Sequence, residues 1–253
     1  MLASERQARI LDLLATRRFA SADDLAGELG ASIETIRRDI RTLDKRQALH
    51  RVRGGALAAA SVAGEPVFED RSMRHQEAKQ AIAALAAKLV DPGQTVFLDL
   101  GTTAVQVARA LASSFVGNVA TTSLLVAGEL AGLRGIDVLV CGGRVRGGDL
   151  ACWNAQAVGF FAGIHADVAF VGSGGVDASA GLTDYHLEEV ATRRQMIANA
   201  RRSYMLADAS KFGVAAPYSV CSLDQIHGLI SEVPPPPDLS DAITREGGQI
   251  ISG

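Results

Sequence analysis

Residues 32–57 read SIETIRRDIRTLDKRQALHRVRGGAL, and this stretch decides the fold of the N-terminal part of the chain. It gathers Arg37, Arg38, Arg41, Lys45, Arg46, Arg51 and Arg53 in a protein whose formal net charge is −3. Ile33, Ile36, Ile40 and Leu43 recur at helical spacing and define one apolar side. At about 100° per residue, Glu34, Arg38, Arg41 and Lys45 fall on the opposite side, with Thr35 and Thr42 beside them. Ser32 is placed to cap this helix. Beyond it, Leu49 and Val52 are interleaved with His50, Arg51 and Arg53, and Gly54-Gly55 supplies the positive-φ positions of a tight turn. The spacing predicts a basic helix followed by a short basic hairpin.

Working upstream, Ser4-Glu5-Arg6-Gln7 reads as a capping box, and Ile10, Leu11, Leu13 and Leu14 form an inward stripe. Ser21 with Asp24 three residues on opens a second helix carrying Leu25 and Leu29, which stops at Gly30. Two short helices joined by a turn of a few residues match the helix-turn-helix pattern, with the basic helix in the recognition position. Arginine on such a face pairs with guanine edges, and a basic hairpin after it suits phosphates or a minor groove. The candidate DNA contacts are therefore Ser32, Glu34, Thr35, Arg37, Arg38, Arg41, Lys45, Arg51 and Arg53. The competing reading is a solvated charged helix and a plain linker hairpin.

Charge supports the first reading. Residues 1–57 hold 11 Lys/Arg against 8 Asp/Glu, whereas the remainder holds 14 against 20. A basic head on an acidic body is the asymmetry expected when the head alone meets a polyanion. At 253 residues the chain accommodates one large domain, or a small domain joined to a medium one. No apolar run approaches the roughly 20 residues that cross a bilayer, and the N-terminus lacks a signal-like apolar core. The expectation is a cytoplasmic protein with no membrane partner. Cys141, Cys152 and Cys221 have neither disulfide-framework nor metal-ligand spacing, and no cofactor motif is read.

Residues 58–72 read as a polar connector, giving expected domains at 1–57 and 73–253. The body alternates strand-like and helix-like segments: QTVFLDLGTT, AVQVARALASSF, NVATT, SLLVAGELA, IDVLVCGG, NAQAVGFFAGI and ADVAFVGSGG. That order predicts an α/β domain with a mostly parallel sheet. Ligands of such sheets bind at the carboxyl ends of strands. Asp99-Leu100-Gly101-Thr102-Thr103 ends one strand and begins a helix, which suits a phosphate. Thr121-Thr122-Ser123, Gly142-Gly143 and Gly172-Ser173-Gly174-Gly175 end others. Glu188, Glu189, Asp208 and Lys211 add charge, and a carboxylate with a lysine near a phosphate loop also suits proton transfer on a sugar phosphate.

The segment TIRRDIRTLDKRQALHRVRGGA resembles the N-terminal signature of the DeoR family of bacterial transcriptional regulators. Ser32, Thr35, Ile36, Arg37, Arg38, Asp39, Leu43, Arg51, Val52, Gly54, Gly55 and Ala56 fit it; Gln47 and Arg53 depart from its usual glycine and histidine. In the body, DLGTT, TTSLLVA, CGGRVR, ADVAFVGSGGVDASAGLTD, EEVATRRQMI and LADASKFG are similar to the same family, with Asn154 where relatives usually have glycine. The resemblance implies a winged helix-turn-helix head and a sensor body similar to ribose-phosphate isomerase and CoA-transferase-like folds. It implies double-stranded operator DNA and a phosphorylated sugar as partners, with repression of sugar catabolism genes. Its pocket maps onto Asp99, Gly101, Thr102, Thr103, Thr121, Ser123, Gly142, Gly143, Gly174, Glu189 and Lys211. Operator recognition favours a homo-oligomer, a dimer or higher. The alternatives are a sugar-phosphate isomerase-like enzyme, against which the basic head argues, and a transcriptional activator.

Overall fold

A computed structural model describes residues 2–17, 19–45, 48–52, 54–58, 68–153 and 155–253. Gln47, Arg53 and Asn154 lie outside the described residues. The head comprises α1 (Ala3–Arg17), β1 (Phe19–Ser21), α2 (Ala22–Leu29), α3 (Ile33–Lys45), β2 (Leu49–Val52) and β3 (Gly55–Ala58). Local chemistry sets these boundaries. The Ser21 Oγ accepts from the Asp24 N–H at 3.0 Å, and α2 ends on Gly30 at φ 58°. The Ser32 Oγ accepts from the Thr35 N–H at 3.2 Å to open α3. Helix α1 begins at Ala3, one residue before the expected cap, with the Glu5 carboxylate accepting from the Leu2 N–H.

Ile10, Leu14, Leu25, Ile36, Ile40, Leu43 and Leu49 are buried together as the core of the head. Ile33 is the exception to the apolar stripe: as the first residue of α3 it is 39% exposed. The wing is a three-stranded antiparallel sheet in the order β1-β3-β2. Strand β1 was not expected, since three residues are too short to show a period. It also changes the reason for the glycine pair. Gly54 has φ 93° and makes the turn, whereas a Cβ on Gly55 would stand 2.2 Å from the Ala20 carbonyl oxygen of β1. Gly55 is needed for close strand approach, not for its dihedral angles.

The body starts within the expected connector, at α4 (Phe68–Met73), followed by α5 (Gln76–Ala87). Then come β4 (Thr95–Leu98), α6 (Thr102–Leu111), β5 (Gly117–Thr121), α7 (Leu124–Leu130) and β6 (Ile136–Val140). A small hairpin, β7 (Arg144–Val145) and β8 (Cys152–Trp153), leads to α8 (Ala155–Ala162) and β9 (Ala166–Val171). Strands β10 (Gly175–Asp177) and β11 (Gly181–Asp184), α9 (Leu187–Ala198) and β12 (Ala200–Leu206) follow. The chain closes with β13 (Tyr218–Cys221), β14 (Gly228–Ser231), α10 (Pro237–Arg245) and β15 (Gln249–Ser252).

Seven strands form one sheet in the order β15-β14-β12-β9-β4-β5-β6, with every pairing parallel. Strand alternation sends side chains to two cores. Phe97 joins Phe161, Met196, Met205 and Leu229 on one face; Val96 and Leu98 join Ile82, Val107 and Phe170 on the other. The chain runs outward from β4 through β5 to β6, then returns to build the other half from β9. The order therefore reverses between β4 and β9, and a crevice opens beyond the carboxyl ends of strands at such a point. Strands β10, β11 and β13 form a separate antiparallel sheet that the strand-helix alternation did not show.

Candidate functional site

On the head, Ser32, Glu34, Arg37, Arg38, Arg41, Lys45 and Arg51 are exposed and Thr35 is half-buried. A cleft of about 600 Å³ separates α3 from the wing and is lined by Arg37, Ile40, Arg41, Arg51, Val52 and Gly54. Ser32 and Thr35 are also used internally, as the α3 cap. Arg41 Nη2 lies 3.0 Å from Glu34 Oε1, both well exposed, so this pair is worth little and does not withhold Arg41 from a phosphate. Two contacts aim the surface. Asp39, in the midst of the basic face, points inward, and its carboxylate accepts from Arg6 Nε at 2.6 Å and Gln7 Nε2 at 2.9 Å, tying α3 to α1. Asp44 Oδ1 accepts from the Arg51 N–H at 3.0 Å and holds β2 against α3.

In the body, a cavity of about 390 Å³ opens at the reversal between β4 and β9, a size that suits a small phosphorylated metabolite. One arc is neutral and rich in N–H groups: Gly101, Thr102 and Thr103 after β4, and Gly172, Ser173 and Gly174 after β9. Gly101 takes φ 105° to start α6, whose first N–H groups have no partner within the helix. A second arc is cationic, with Arg71 and Arg74 from the α4 end, Lys79 from α5 and Lys211 after β12. Lys79 is buried and its ammonium donates to the Arg71 carbonyl and, at 2.7 Å, to the Arg74 carbonyl. Burial lowers the proton affinity of Lys79, and the nearby charges of Lys211 and Arg71 add to this while Asp208 opposes it.

The third arc is a buried charge network. Arg193 sits between three carboxylates: Asp99 at 2.5 Å, Glu189 at 2.9 Å, and Asp184 in direct contact. Asp99 also accepts from the Gly172 N–H at 2.8 Å, which fixes the loop after β9. Glu189 reaches a second guanidinium, Arg146, at 2.5 Å, and Arg146 in turn holds Asp149. Burial disfavours the Arg193 charge, but Asp184, Asp99 and Glu189 outweigh it and raise its proton affinity well above the ordinary value. Burial raises Glu189 above the usual carboxylate range against the pull of Arg193. The network presents Glu189 and Arg193 to the cavity as a fixed acceptor and donor, suited to hydroxyl groups.

Of the residues mapped to a pocket from sequence, Gly101, Thr102, Thr103, Gly174, Glu189 and Lys211 line this cavity. Gly174 has a further reason to be glycine: its Cβ would lie 2.9 Å from Asp184 Cα. Asp99 is turned into the Arg193 network. Thr121 and Ser123 are buried and spent locally, the Thr121 Oγ1 accepting from the Ser123 N–H and the Ser123 Oγ from the Val126 N–H. Gly142 and Gly143 are exposed and make the turn into β7. These four follow β5 and β6, which lead away from the reversal point. Sequence reasoning did not single out Arg71, Arg74, Lys79 or Arg193. The spacing of Glu189 and Arg193, one helical turn apart, was the available signal for the last.

Comparison with known proteins agrees with both halves. Residues 6–62 match the DeoR-like helix-turn-helix domain and residues 74–233 the DeoR C terminal sensor domain. The HTH-type transcriptional repressor CsqR of Escherichia coli K12 is 32% identical over 97% of this chain and 94% of its own. The glycerol-3-phosphate regulon repressor of the same organism is 29% identical over 96% of both chains. The regulator GlpR of Haloferax volcanii is 31% identical over the whole of this chain and 99% of its own. A ribose 5-phosphate isomerase A from Methanocaldococcus jannaschii overlaps 54% of each chain at 19% identity with a TM-score of 0.40. Among the described residues no helix is long and apolar enough to cross a membrane. Matched in both halves and alignable with these regulators nearly end to end, the chain belongs to the DeoR family of transcriptional regulators.

Proposed function

We propose that this protein represses genes of sugar catabolism by holding operator DNA against the exposed face of α3 and the wing, and that a phosphorylated sugar bound in the body cavity releases it. The observation that carries this reading is the pairing of arcs in one cavity. The amide-rich start of α6 and the cations Arg71, Arg74, Lys79 and Lys211 suit a phosphoryl group, and Glu189 with Arg193 suits sugar hydroxyls. A carbohydrate without phosphate would leave the cationic arc unused. Names of relatives such as the glycerol-3-phosphate regulon repressor support the same chemistry. Release follows if the ligand binds more tightly to the conformation that holds DNA poorly. A homodimer or larger assembly would match the two-fold symmetry of operators. A regulatory role is preferred to enzymatic turnover because the basic head has no use in an isomerase.

The test is calorimetry and operator release with a panel of sugar phosphates, using the native chain and Thr103→Asp. A carboxylate at Thr103 stands where the phosphoryl group belongs, and like charges in a partly desolvated site repel. The variant is expected to bind operator normally and ignore the ligand. An unimpaired ligand response places the site elsewhere, and phosphate-free sugars binding as tightly as their phosphates overturn the assignment.

A further inference from the structure

We propose that Arg71 and Arg74 form a second jaw of the anion site, so that a phosphate monoester closes the segment leading out of the winged helix onto the sensor sheet. The proposal rests on the phosphorylated-ligand reading above and adds the means by which occupancy reaches the head. In chain order α4 is the first described element after the wing, and none of its six residues is buried. Phe68 gives it a half-buried apolar foothold, but Met73 is 75% exposed. Its described contacts with the body combine this foothold with polar contacts at the cavity. The Lys79 ammonium holds the Arg71 and Arg74 carbonyls, while the side chains of both arginines line the same cavity as Thr102, Thr103 and Lys211.

The electrostatics give the jaw a reason to move. Lys211 and Arg71 each act on Lys79 as like charges, and Asp208 opposes them. A dianion placed among these cations attracts all of them, and each guanidinium can bond phosphoryl oxygens at two points. The sheet side of the cavity, at the start of α6, is fixed by packing, since Thr102, Ala104, Val105 and Val107 are all buried. The element free to respond is α4. Binding energy spent on Arg71 and Arg74 thus pulls α4, the first described element after the wing, toward β4, which is how a ligand with no contact to DNA alters the placement of the head.

The experiment is hydrogen–deuterium exchange on the full chain, with inorganic phosphate and glycerol 3-phosphate as probes and calorimetry alongside. Amides of residues 70–75 and 102–105 should both slow severalfold on binding. In R71Q/R74Q, probe affinity should fall about tenfold or more, and at saturation 102–105 should still be protected while 70–75 are not. R74Q alone, at an exposed position, should show the same selective loss in weaker form, and M73A on the same helix should behave as the native chain. Protection of 102–105 with 70–75 unchanged in the native protein, or unaltered affinity in R71Q/R74Q, overturns the jaw while leaving the site intact. If neither probe nor any sugar phosphate protects 102–105, the phosphorylated-ligand reading fails and the jaw with it.

Discussion

Arg6 of α1 and Asp39 of α3 meet at 2.6 Å, Nε to Oδ2, with Asp39 nearly buried and the Gln7 amide on its other oxygen. A carboxylate thus points inward from the most basic helix of the protein and fixes that helix by a bond to its neighbour. Asp39→Ala should destabilise the head by about 1–3 kcal/mol, because it strands the partners of a nearly buried charge. It should also weaken operator binding although the Asp39 carboxylate faces α1 rather than the exposed surface. Exchange of α1 and α3 amides in the full chain, read with operator affinity, checks this; unchanged exchange would sever the link between the pair and the aim of α3.

The exposed face of α3 and the wing are expected to fail differently when cut back. Arg38→Ala should cost about 1–3 kcal/mol on the native operator and relax preference at one base position. Arg51→Ala should weaken binding evenly across sequences and lower the salt slope by about one. Operator titrations at several salt concentrations separate the two. Identical behaviour of both variants would mean that α3 reads no base.

Arg193 pairs with Asp99, Asp184 and Glu189 at once, and all four side chains are buried. Arg193→Met keeps the bulk but leaves three carboxylates without their shared cation. A loss of about 3–5 kcal/mol is expected in denaturant unfolding of the full chain. Asp184→Asn should cost clearly less, since Asp99 and Glu189 still answer the guanidinium. The reverse order would show that the network is not centred on Arg193.

Burial pushes the Cys141 and Cys221 thiols up to about 11 from an ordinary 9.0, with Cys152 adding to the shift at Cys141 and Arg194 opposing it at Cys221. The folded state therefore holds these protons where the unfolded chain has lost them. By linkage the stability associated with both thiols is complete below about pH 9 and is lost as pH rises toward 11. Alkylation of the native protein should be slow at pH 8 and accelerate well above the pH at which the denatured chain reacts. Rapid native alkylation of either residue at neutral pH would contradict this.

Elements governed by neighbours in sequence were readable from it. Ser21 with Asp24, Gly30, and the run from Gly101 to Thr103 act over three or four residues, and each behaves in the fold as its local chemistry dictates. What escaped depends on long-range closure. Arg193 meets Asp99 across 94 positions, and Gly55 owes its identity to a strand more than thirty residues earlier. Thr121 and Ser123 have the same chemical style as Thr102 and Thr103, but strand order carries them away from the crevice. Composition at a strand end identifies a candidate; the position of that strand in the sheet decides whether it meets a ligand.

The reversal of strand order between β4 and β9 also separates what this scaffold must keep from what it is free to change. The start of α6 depends on the loop after β4, while the walls that would meet the rest of a ligand come from loops after β9 and β12 and from α9. These are different stretches of chain, tied to one another through Asp99, which holds both the Gly172 N–H and Arg193. Exchange of the later loops with residues 172–174, Lys211 and Arg193 retained is expected to alter the ligand while the amide-rich and cationic arcs of the cavity persist. Loops after β5 and β6 line no part of this cavity among the described residues, yet Arg146 there pairs with Glu189, so a change in their length must preserve that pair.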